Sequence, residues 1–478
     1  MTAEILWSAV DAQAATNGKG PDLWRATGVS IDTRSVAAGD LFVALSGPNH
    51  DGHAFVKEAL KKGAAAALVS RRPEGLPEYA PLLVVEDTLA GRTQLGAAGR
   101  ARSDAVVCAV TGSTGKTSTK ELLRGACTAL GKTHAAAASY NNHWGVPLTL
   151  ARLPKDARWA ICEVGMNRPG EIRALTRLVR PHLAVITNIG VAHLEYLGSR
   201  EGIADAKAEI FEGFEPGGKA VLPRGDDFFD RLSAAAKAQG AEVISFGAHP
   251  SSDVRLLDYH PVGEGGDVVA SFQGQALTFH VPFAGRHQAI NALAALAAVQ
   301  AMGGDVERAA AGLRALRPLA GRGARRRLSL GSGGAITLLD ESYNGNPHSV
   351  AAALSVLSEV EPEGQGRRLV VLGDMLELGP DAERFHAELA DAVSKSGAAR
   401  VFLCGPLMRR LAEALPTRLE VVHEADSESL APHVVAALRD GDVVLVKGSL
   451  GSRMKVIVDA LLAATLEERS TEGGKDAL

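Results

Sequence analysis

The chain has 478 residues, with 51 Lys and Arg against 55 Asp and Glu, and a formal net charge of -4. That length is a prior of roughly three domains with real cores, and 46% hydrophobic residues exclude disorder for most of it. The near-neutral balance leaves no surplus of cations to neutralise phosphates, which excludes an electrostatically driven nucleic-acid binder. The 52 glycines and only 4% aromatics suit many βα turns packed by small side chains.

The start, Met1-Thr-Ala-Glu-Ile-Leu-Trp-Ser, has neither a basic stretch nor an uninterrupted apolar one, so it does not read as a signal peptide. No apolar run approaches the ~18 residues of a membrane span. Cys108, Cys127, Cys162 and Cys404 stand singly, without C-x-x-C pairing, and read as small buried hydrophobes of a reducing compartment. A cytoplasmic protein is expected.

From Gly28 to Glu86 short apolar runs (Asp40–Leu45, Ala65–Val69, Leu82–Val85) alternate with helical segments, predicting a small α/β unit. Asp87–Asp104 is Ala/Gly-rich and helical in pattern, a joint between two units. From Ala105 the rhythm becomes strand, turn, helix. Ala105–Val110, Trp159–Val164 and Leu183–Ile189 are continuous apolar strands, and Thr117–Leu130 is a helix. Continuous apolar strands separated by helices predict a parallel sheet covered on both faces. After Val254 period-2 alternation (Val268–Phe272, Ala276–Val281) predicts an antiparallel appendage, and a helix over His287–Met302 closes the unit. Past Arg322 a third α/β series offers strands at Ala335–Leu339, Arg368–Leu372, Val401–Cys404, Leu419–Val422 and Val443–Val446. The polar tail from Glu467 reads as frayed.

The strongest local signal is Val110-Thr-Gly-Ser-Thr-Gly-Lys-Thr-Ser-Thr119. An apolar strand runs into Gly112 and Gly115, then Lys116, Thr117 and a helix. Glycines let backbone N–H groups curl around an anion, and the helix N-terminus adds positive potential. Lys116 suits terminal phosphates and the Thr117 hydroxyl suits Mg²⁺. Position 110 is Val where the general loop pattern has Gly, so the shorter form T-G-x-x-G-K-T stands here. The alternative is a glycine turn capping an ordinary helix. ATP with Mg²⁺ is the expectation.

Ligands of open parallel sheets sit at the carboxyl ends of strands. Glu163 ends one strand and His193 follows another, and beside a phosphate loop both become candidates for metal or phosphate chemistry. In the segment Glu201–Phe214, Lys207 falls on the apolar stripe of Ile203, Ile210, Phe211 and Phe214. Such a lysine either snorkels outward or is held inward, where it loses its proton readily and can add carbon dioxide as a carbamate able to ligate Mg²⁺. Further on, Asp340-Glu-Ser-Tyr-Asn-Gly-Asn-Pro347 follows an apolar strand, with turn residues Asn344 and Asn346. Gly373-Asp374 follows another strand. Lys447-Gly-Ser-Leu-Gly-Ser-Arg453 reads either as a carboxylate or phosphate site or as a plain βα turn.

Taken together, these segments make nearly the whole chain resemble the Mur ligases, ATP-dependent amide-forming enzymes of peptidoglycan precursor synthesis. Asp32-Thr-Arg-Ser with Asp51-Gly-His-Ala-Phe resembles the family's nucleotide-sugar-binding N-terminal domain. Thr111-Gly-Ser-Thr-Gly-Lys-Thr resembles its ATP loop. Ser139-Tyr-Asn-Asn-His-Trp-Gly-Val-Pro-Leu, Glu163-Val-Gly-Met-Asn and Asn188-Ile-Gly-Val-Ala-His-Leu-Glu resemble its central domain. Ala206-Lys-Ala-Glu-Ile-Phe is similar to the segment bearing its carbamylated lysine. Gly285-Arg-His-Gln-Ala-Ile-Asn, Arg322, Asp340 and Tyr343-Asn-Gly-Asn-Pro extend the likeness to hinge and C-terminal domain.

The resemblance implies an α/β protein of three domains: an N-terminal nucleotide-sugar domain (1–86), a central P-loop ATPase domain with a mostly parallel sheet (87–322), and a Rossmann-like C-terminal ligase domain (323–478). It implies that Thr111, Gly112, Ser113, Thr114, Gly115, Lys116, Thr117 and Ser118, with Asn291, Arg322 and Asp340, bind the nucleotide. Thr117 and Glu163 would hold one Mg²⁺, and His193 and an N6-carboxylated Lys207 a second. Lys116, Glu163, His193 and Lys207 would be catalytic. Asp32, Thr33, Arg34, Asn141, Asn142, Asn344 and Asn346 would bind the other substrates. Gln288 stands where the family more often has Asn.

The forms Asn-Asn-x-x-Gly-Val-Pro and Tyr-Asn-x-Asn-Pro point to the branch joining D-alanyl-D-alanine to UDP-N-acetylmuramoyl-tripeptide, an activity of cell-wall biogenesis, cell shape and division. A monomer is expected. The branch adding the third amino acid, diaminopimelate or lysine, is the second reading, although its D-N-P-R signature is missing. A folylpolyglutamate synthase-like ligase fits less well because of Asp32-Thr-Arg, and a non-catalytic nucleotide-binding partner would be favoured by loss of Lys116, Glu163, His193 or Lys207, all of which are present.

Overall fold

The computed structural model describes residues 4–47, 51–136, 139–331 and 333–467. The first three residues and the tail beyond Glu467 lie outside these. Twenty-two strands are found among the described residues. A short pair, β1 (Trp7–Ser8) and β2 (Arg25–Ala26), precedes a four-stranded parallel sheet of β3 (Gly28–Ser30), β4 (Asp40–Val43), β5 (Ala66–Val69) and β6 (Leu82–Val84).

The central sheet has nine strands: β7 (Val106–Thr111), β8 (Thr133–Ala135), β9 (Trp159–Glu163), β10 (Leu183–Ile186), β11 (Lys219–Pro223), β12 (Glu242–Gly247), β13 (Val254–Val262), β14 (Gly265–Phe272) and β15 (Gln275–Val281). Their order is β15-β14-β13-β12-β11-β10-β7-β9-β8, parallel from β8 to β13, with β14 and β15 antiparallel at the far edge. The third sheet holds β16 (Ala324–Leu330), β17 (Ala335–Glu341), β18 (Arg368–Gly373), β19 (Ala398–Cys404), β20 (Glu420–Glu424), β21 (Val443–Lys447) and β22 (Thr465–Glu467). Its order is β20-β19-β18-β21-β17-β16-β22, parallel except for β16 and β22.

Two-sided burial explains the continuous apolar strands. Along β7, Cys108 and Val110 join one apolar cluster with the helices Lys116–Thr128 and Arg286–Ala301. Val107 and Ala109 join the opposite cluster, with Ile172, Ile203 and Leu232 from three other helices. The helix Arg286–Ala301 is apolar almost all round and correspondingly buried. All four cysteines are free and buried, as small hydrophobes. No helix among the described residues is long and apolar enough to cross a membrane.

The structure departs from the expected elements in two places that matter. The strand beginning at Leu183 stops at Ile186 rather than Ile189: Thr187 N still bonds to Thr111 O of β7, but the Thr187 side chain and Asn188 turn to the loop that follows it. The α-helix expected over Glu201–Phe214 runs only over Arg200–Ala208 and tightens into a 3₁₀ segment, Glu209–Gly213. There the Glu209 carboxylate accepts from Gly170 N (2.7 Å) and Arg173 N (3.0 Å), and Thr176 Oγ1 donates to Ile210 O (2.7 Å), drawing these groups out of the helical ladder. Lys207 therefore sits in the last α-helical turn.

The helix Thr88–Ala101 joins the first two sheets. Its Leu95 shares an apolar cluster with Leu41, Leu68 and Trp7 on one side and Leu148 and Ala151 on the other. Trp7 Nε1 donates to Ala151 O (2.8 Å), and Arg152 Nε to Val29 O (2.6 Å).

Candidate active site

Strand β7 ends in the loop Gly112–Gly115, from which the helix Lys116–Thr128 starts. Gly112 has φ 152°, and a Cβ there would lie 1.8 Å from Thr187 Oγ1. Gly115 has φ 76°, and a Cβ there would meet Asn291 Oδ1 at 2.7 Å. Both positions therefore require glycine. The residues after β10 clamp the loop: Thr187 N donates to Thr111 O (3.0 Å), Ser113 N to Asn188 O (3.0 Å), and Thr114 N to Asn188 Oδ1 (2.9 Å). This is why β10 is short.

Lys116 folds back so that Nζ donates to Gly112 O (2.6 Å), and burial pushes its pKa down. Beside it, Thr117 Oγ1 lies 3.1 and 3.0 Å from the two carboxylate oxygens of Glu163 and 3.1 Å from Ser139 Oγ. Asn141 Nδ2 donates to Glu163 Oε1 (2.8 Å). Glu163 is 1% exposed, and both of its carboxylate oxygens find partners among these neutral groups. A hydroxyl and a carboxylate 3 Å apart are the hard oxygen donors that Mg²⁺ selects. Among the described residues no three His, Cys, Asp or Glu converge into a cage, so a cation here would complete its shell with ligand oxygens and water.

Through Arg322, at the hinge, this network reaches the C-terminal unit. Arg322 Nη2 donates to Ser139 Oγ (2.9 Å) and its guanidinium stacks 3.9 Å over the Tyr343 ring. Asp340, next to last in β17, does not line the cavity. Its carboxylate accepts from Gly321 N (3.0 Å) and Ser342 Oγ (2.6 Å), bracing the turn that carries Arg322. Between the units lies a cavity of about 820 Å³, lined by Ser113–Ser118, Asn141, Asn142, Glu163, His193, Gln288, Asn291, Arg322, Asn344, Asn346 and Lys447. Asn291 Nδ2 donates to Gln288 Oε1 (3.2 Å), so the Gln amide keeps a role in placing Asn291.

Several of these side chains also shape the backbone. Asn142 Oδ1 accepts from Trp144 N and Gly145 N, both at 3.0 Å. Asn346 caps the helix Pro347–Glu359 reciprocally with Ser349. Lys447 is buried against Glu341 (3.3 Å) and Asn344 O (2.9 Å). Asp374 likewise accepts from Met408 N (2.9 Å), and burial raises its pKa.

Lys207 is held inward rather than snorkelling: it is 1% exposed. Burial, with Lys116 nearby, sets its pKa well below the ordinary value. His193, at φ 64°, lies 2.7 Å through Nδ1 from Glu377 Oε2 of the C-terminal unit. Asp32, Thr33 and Arg34 form a separate turn after β3, away from the cavity. There Arg34 grips the Asp32 carboxylate (Nη2 to Oδ2, 2.6 Å) and Lys62 Nζ donates to Thr33 O (2.9 Å). Sequence reasoning gave no role to Ser139, although it opens the Ser-Tyr-Asn-Asn motif. It had no signal for Glu377, which meets the central unit only in three dimensions.

Comparison with known proteins agrees with this geometry. Residues 25–88 match the Mur ligase family catalytic domain, 110–299 the Mur ligase middle domain, and 325–450 the Mur ligase glutamate ligase domain. UDP-N-acetylmuramoyl-tripeptide–D-alanyl-D-alanine ligase of Bacillus subtilis is 36% identical over 442 residues, covering 92% of this chain and 94% of that protein. A crystal structure of MurF from Acinetobacter baumannii superposes with TM-score 0.81 at 30% identity, covering 96% of this chain and 100% of that one. MurF ligase from Thermotoga maritima in complex with ADP gives TM-score 0.74 at 25% identity, over 91% and 97% of the two chains. Three matched regions in order, full-length relatives and a phosphate loop facing a second α/β unit lead to one conclusion: the chain belongs to the Mur ligase family.

Proposed function

We propose that this chain joins D-alanyl-D-alanine to UDP-N-acetylmuramoyl-tripeptide at the expense of ATP. The observation that carries the reading is the Thr117–Glu163–Ser139–Arg322 network, which through the stack of Arg322 on Tyr343 ties a phosphate loop to the C-terminal unit across one cavity. The relatives named for this reaction, one of them solved with ADP, support the same assignment. The reading divides the chain at 86/87 and 322/323. The first unit, through Asp32, Thr33 and Arg34, takes the nucleotide sugar, the second takes ATP, and the third takes the dipeptide through Asn344 and Asn346.

A carboxylate is a poor acylating agent. Its oxygen therefore attacks the γ-phosphorus of ATP, ADP leaves, and an acyl phosphate forms. The dipeptide amine then attacks the acyl carbon; the C–O bond to phosphate breaks and the amine proton is released. Two anions must meet in the first step, so charge neutralisation dominates the barrier. Lys116 and the N–H groups of residues 115–117 face the phosphates, while Asn291 and Arg322 hold the nucleotide at the closing edge. Asn141 and Asn142 orient the acceptor beside Glu163. Thr117 and Glu163 would hold one Mg²⁺, and His193 with an N6-carboxylated Lys207 would hold another. When bound, these ions draw charge from the phosphate oxygens. Lys207 suits that modification because burial favours its neutral amine, which adds carbon dioxide at nitrogen with loss of one proton, turning a neutral group into an anion beside Lys116.

Phosphate release is measured with two substrate pairs: UDP-N-acetylmuramoyl-tripeptide with D-alanyl-D-alanine, and the dipeptide precursor with diaminopimelate or lysine. Turnover with the first pair alone is expected; turnover with the second alone would move the chain to the branch adding the third residue. Lys207→Ala abolishes ligation on this reading, and near-normal activity would remove the carbamate.

A further inference from the structure

We propose that Glu377 is a positioning residue for His193: it fixes the imidazole with Nε2 toward the cavity, and does so only when the C-terminal unit is docked. The inference rests on the ligase reading above.

The contact joins two units through two unusual backbones. Glu377 Oε2 lies 2.7 Å from His193 Nδ1 with the ring turned out of line for a hydrogen bond, and that buried nitrogen has no other partner among the described residues, so a small rotation of the ring completes the pairing. His193 and Glu377 have φ 64° and 63°, in the left-handed region that residues with a Cβ seldom occupy. The pairing is held from both sides. Glu195 N donates to Glu377 O (3.3 Å), and a Cβ on Gly379 would lie 3.3 Å from Glu195 Cα. Val191 is buried in the apolar cluster of the C-terminal unit with Met375 and Leu378. The loop that carries His193 is thus seated on the neighbouring unit's core.

A neutral imidazole carries one N–H and one lone pair. A carboxylate against Nδ1 requires the proton there, which leaves the Nε2 lone pair for a cation in the cavity that His193 lines. As a partly exposed ion pair the contact would add little to stability. Left-handed backbone on both partners is then explained by orientation. Withdrawal of the C-terminal unit removes Glu377 and frees the ring to rotate, so cation binding at His193 is coupled to closure.

The test uses the full-length enzyme with ADP and Mn²⁺ as the probe, titrated by electron paramagnetic resonance. Glu377→Ala should lower the affinity of one Mn²⁺ equivalent by about 10- to 100-fold, with the melting temperature and the metal-free ADP affinity unchanged. Glu377→Gln, which keeps the shape and an acceptor oxygen, should lower it less, by at least threefold. His193→Ala should weaken the same equivalent, and adding Glu377→Ala to it should cost nothing more. Unchanged Mn²⁺ affinity in the folded Glu377 variants, or losses that multiply in the double variant, would overturn the proposal. Mn²⁺ binding is measured without turnover, so failure of the substrate assignment and failure of this one remain distinct.

Discussion

Gly112→Ala tests the phosphate loop most directly. A methyl group at this position would stand 1.8 Å from Thr187 Oγ1 and 3.0 Å from Thr187 Cβ, on a backbone at φ 152°. Holding alanine in that conformation costs about 1–3 kcal/mol. Displacing Thr187 breaks its hydroxyl's bond to Thr114 O, about 1 kcal/mol, and residual overpacking adds about 1–3 kcal/mol. The sum is roughly 3–7 kcal/mol. If the loop relieves it by opening, the lower end alone corresponds to a loss of more than 100-fold in nucleotide affinity. Calorimetric titration with ADP and denaturant unfolding would measure both effects. Thr187→Ala in the same chain removes the 1.8 Å contact but leaves the 3.0 Å one, so the double variant should recover part of the loss. Wild-type affinity in Gly112→Ala, or strictly additive effects in the double variant, would refute this account of the loop.

Two more expectations concern closure and pH. Arg322→Ala loses the bond to Ser139 within the central unit and the stack on Tyr343, of which only the stack, about 1 kcal/mol, joins the two units. The closed-to-open ratio should fall about fivefold, which energy transfer between dyes on the central and C-terminal units would report; an unchanged distribution would count against the clasp. Burial pushes the Cys127, Cys162 and Cys404 thiols up to about 12, against about 8.5 in an unfolded chain. Their stabilisation is whole below about pH 8.5 and is lost as pH rises toward about 12, because the unfolded chain releases those protons first. Between pH 8.5 and 10 the melting temperature should therefore fall more steeply for the wild type than for Cys127→Ala, and equal slopes would contradict the burial argument.

Local chemistry was legible in the sequence where several levels agreed. Strand, glycines, Lys-Thr and helix occur in order at 110–119, and the structure builds that loop. Lys207 lay on an apolar stripe and is buried there. What escaped was set by partners distant in the chain. Thr187 and Asn188 have the look of a strand's end, yet they leave the ladder to hold a loop more than 70 residues earlier. Glu209 carries no signal in the sequence, and its carboxylate accepts from the backbone at the start of another helix. Asn346 has the look of a ligand residue, and its side chain is engaged in starting a helix. Glu377 carries no motif at all, since its meaning comes from the docking of two units.

Gly96 and Gly99 have a different consequence. On the helix Thr88–Ala101 they bring its backbone against that of the helix Gly145–Ala151, close enough that a Cβ on Gly99 would stand 2.2 Å from Leu150 O and one on Gly96 2.7 Å from Pro147 O. Two helices touching main chain to main chain cannot slide without breaking a shared core. The first sheet and the phosphate loop therefore form a rigid ruler. A molecule anchored at one end and reacting at the other must match a fixed span, so size selection can be exerted through the length of the scaffold, far from the reacting atoms.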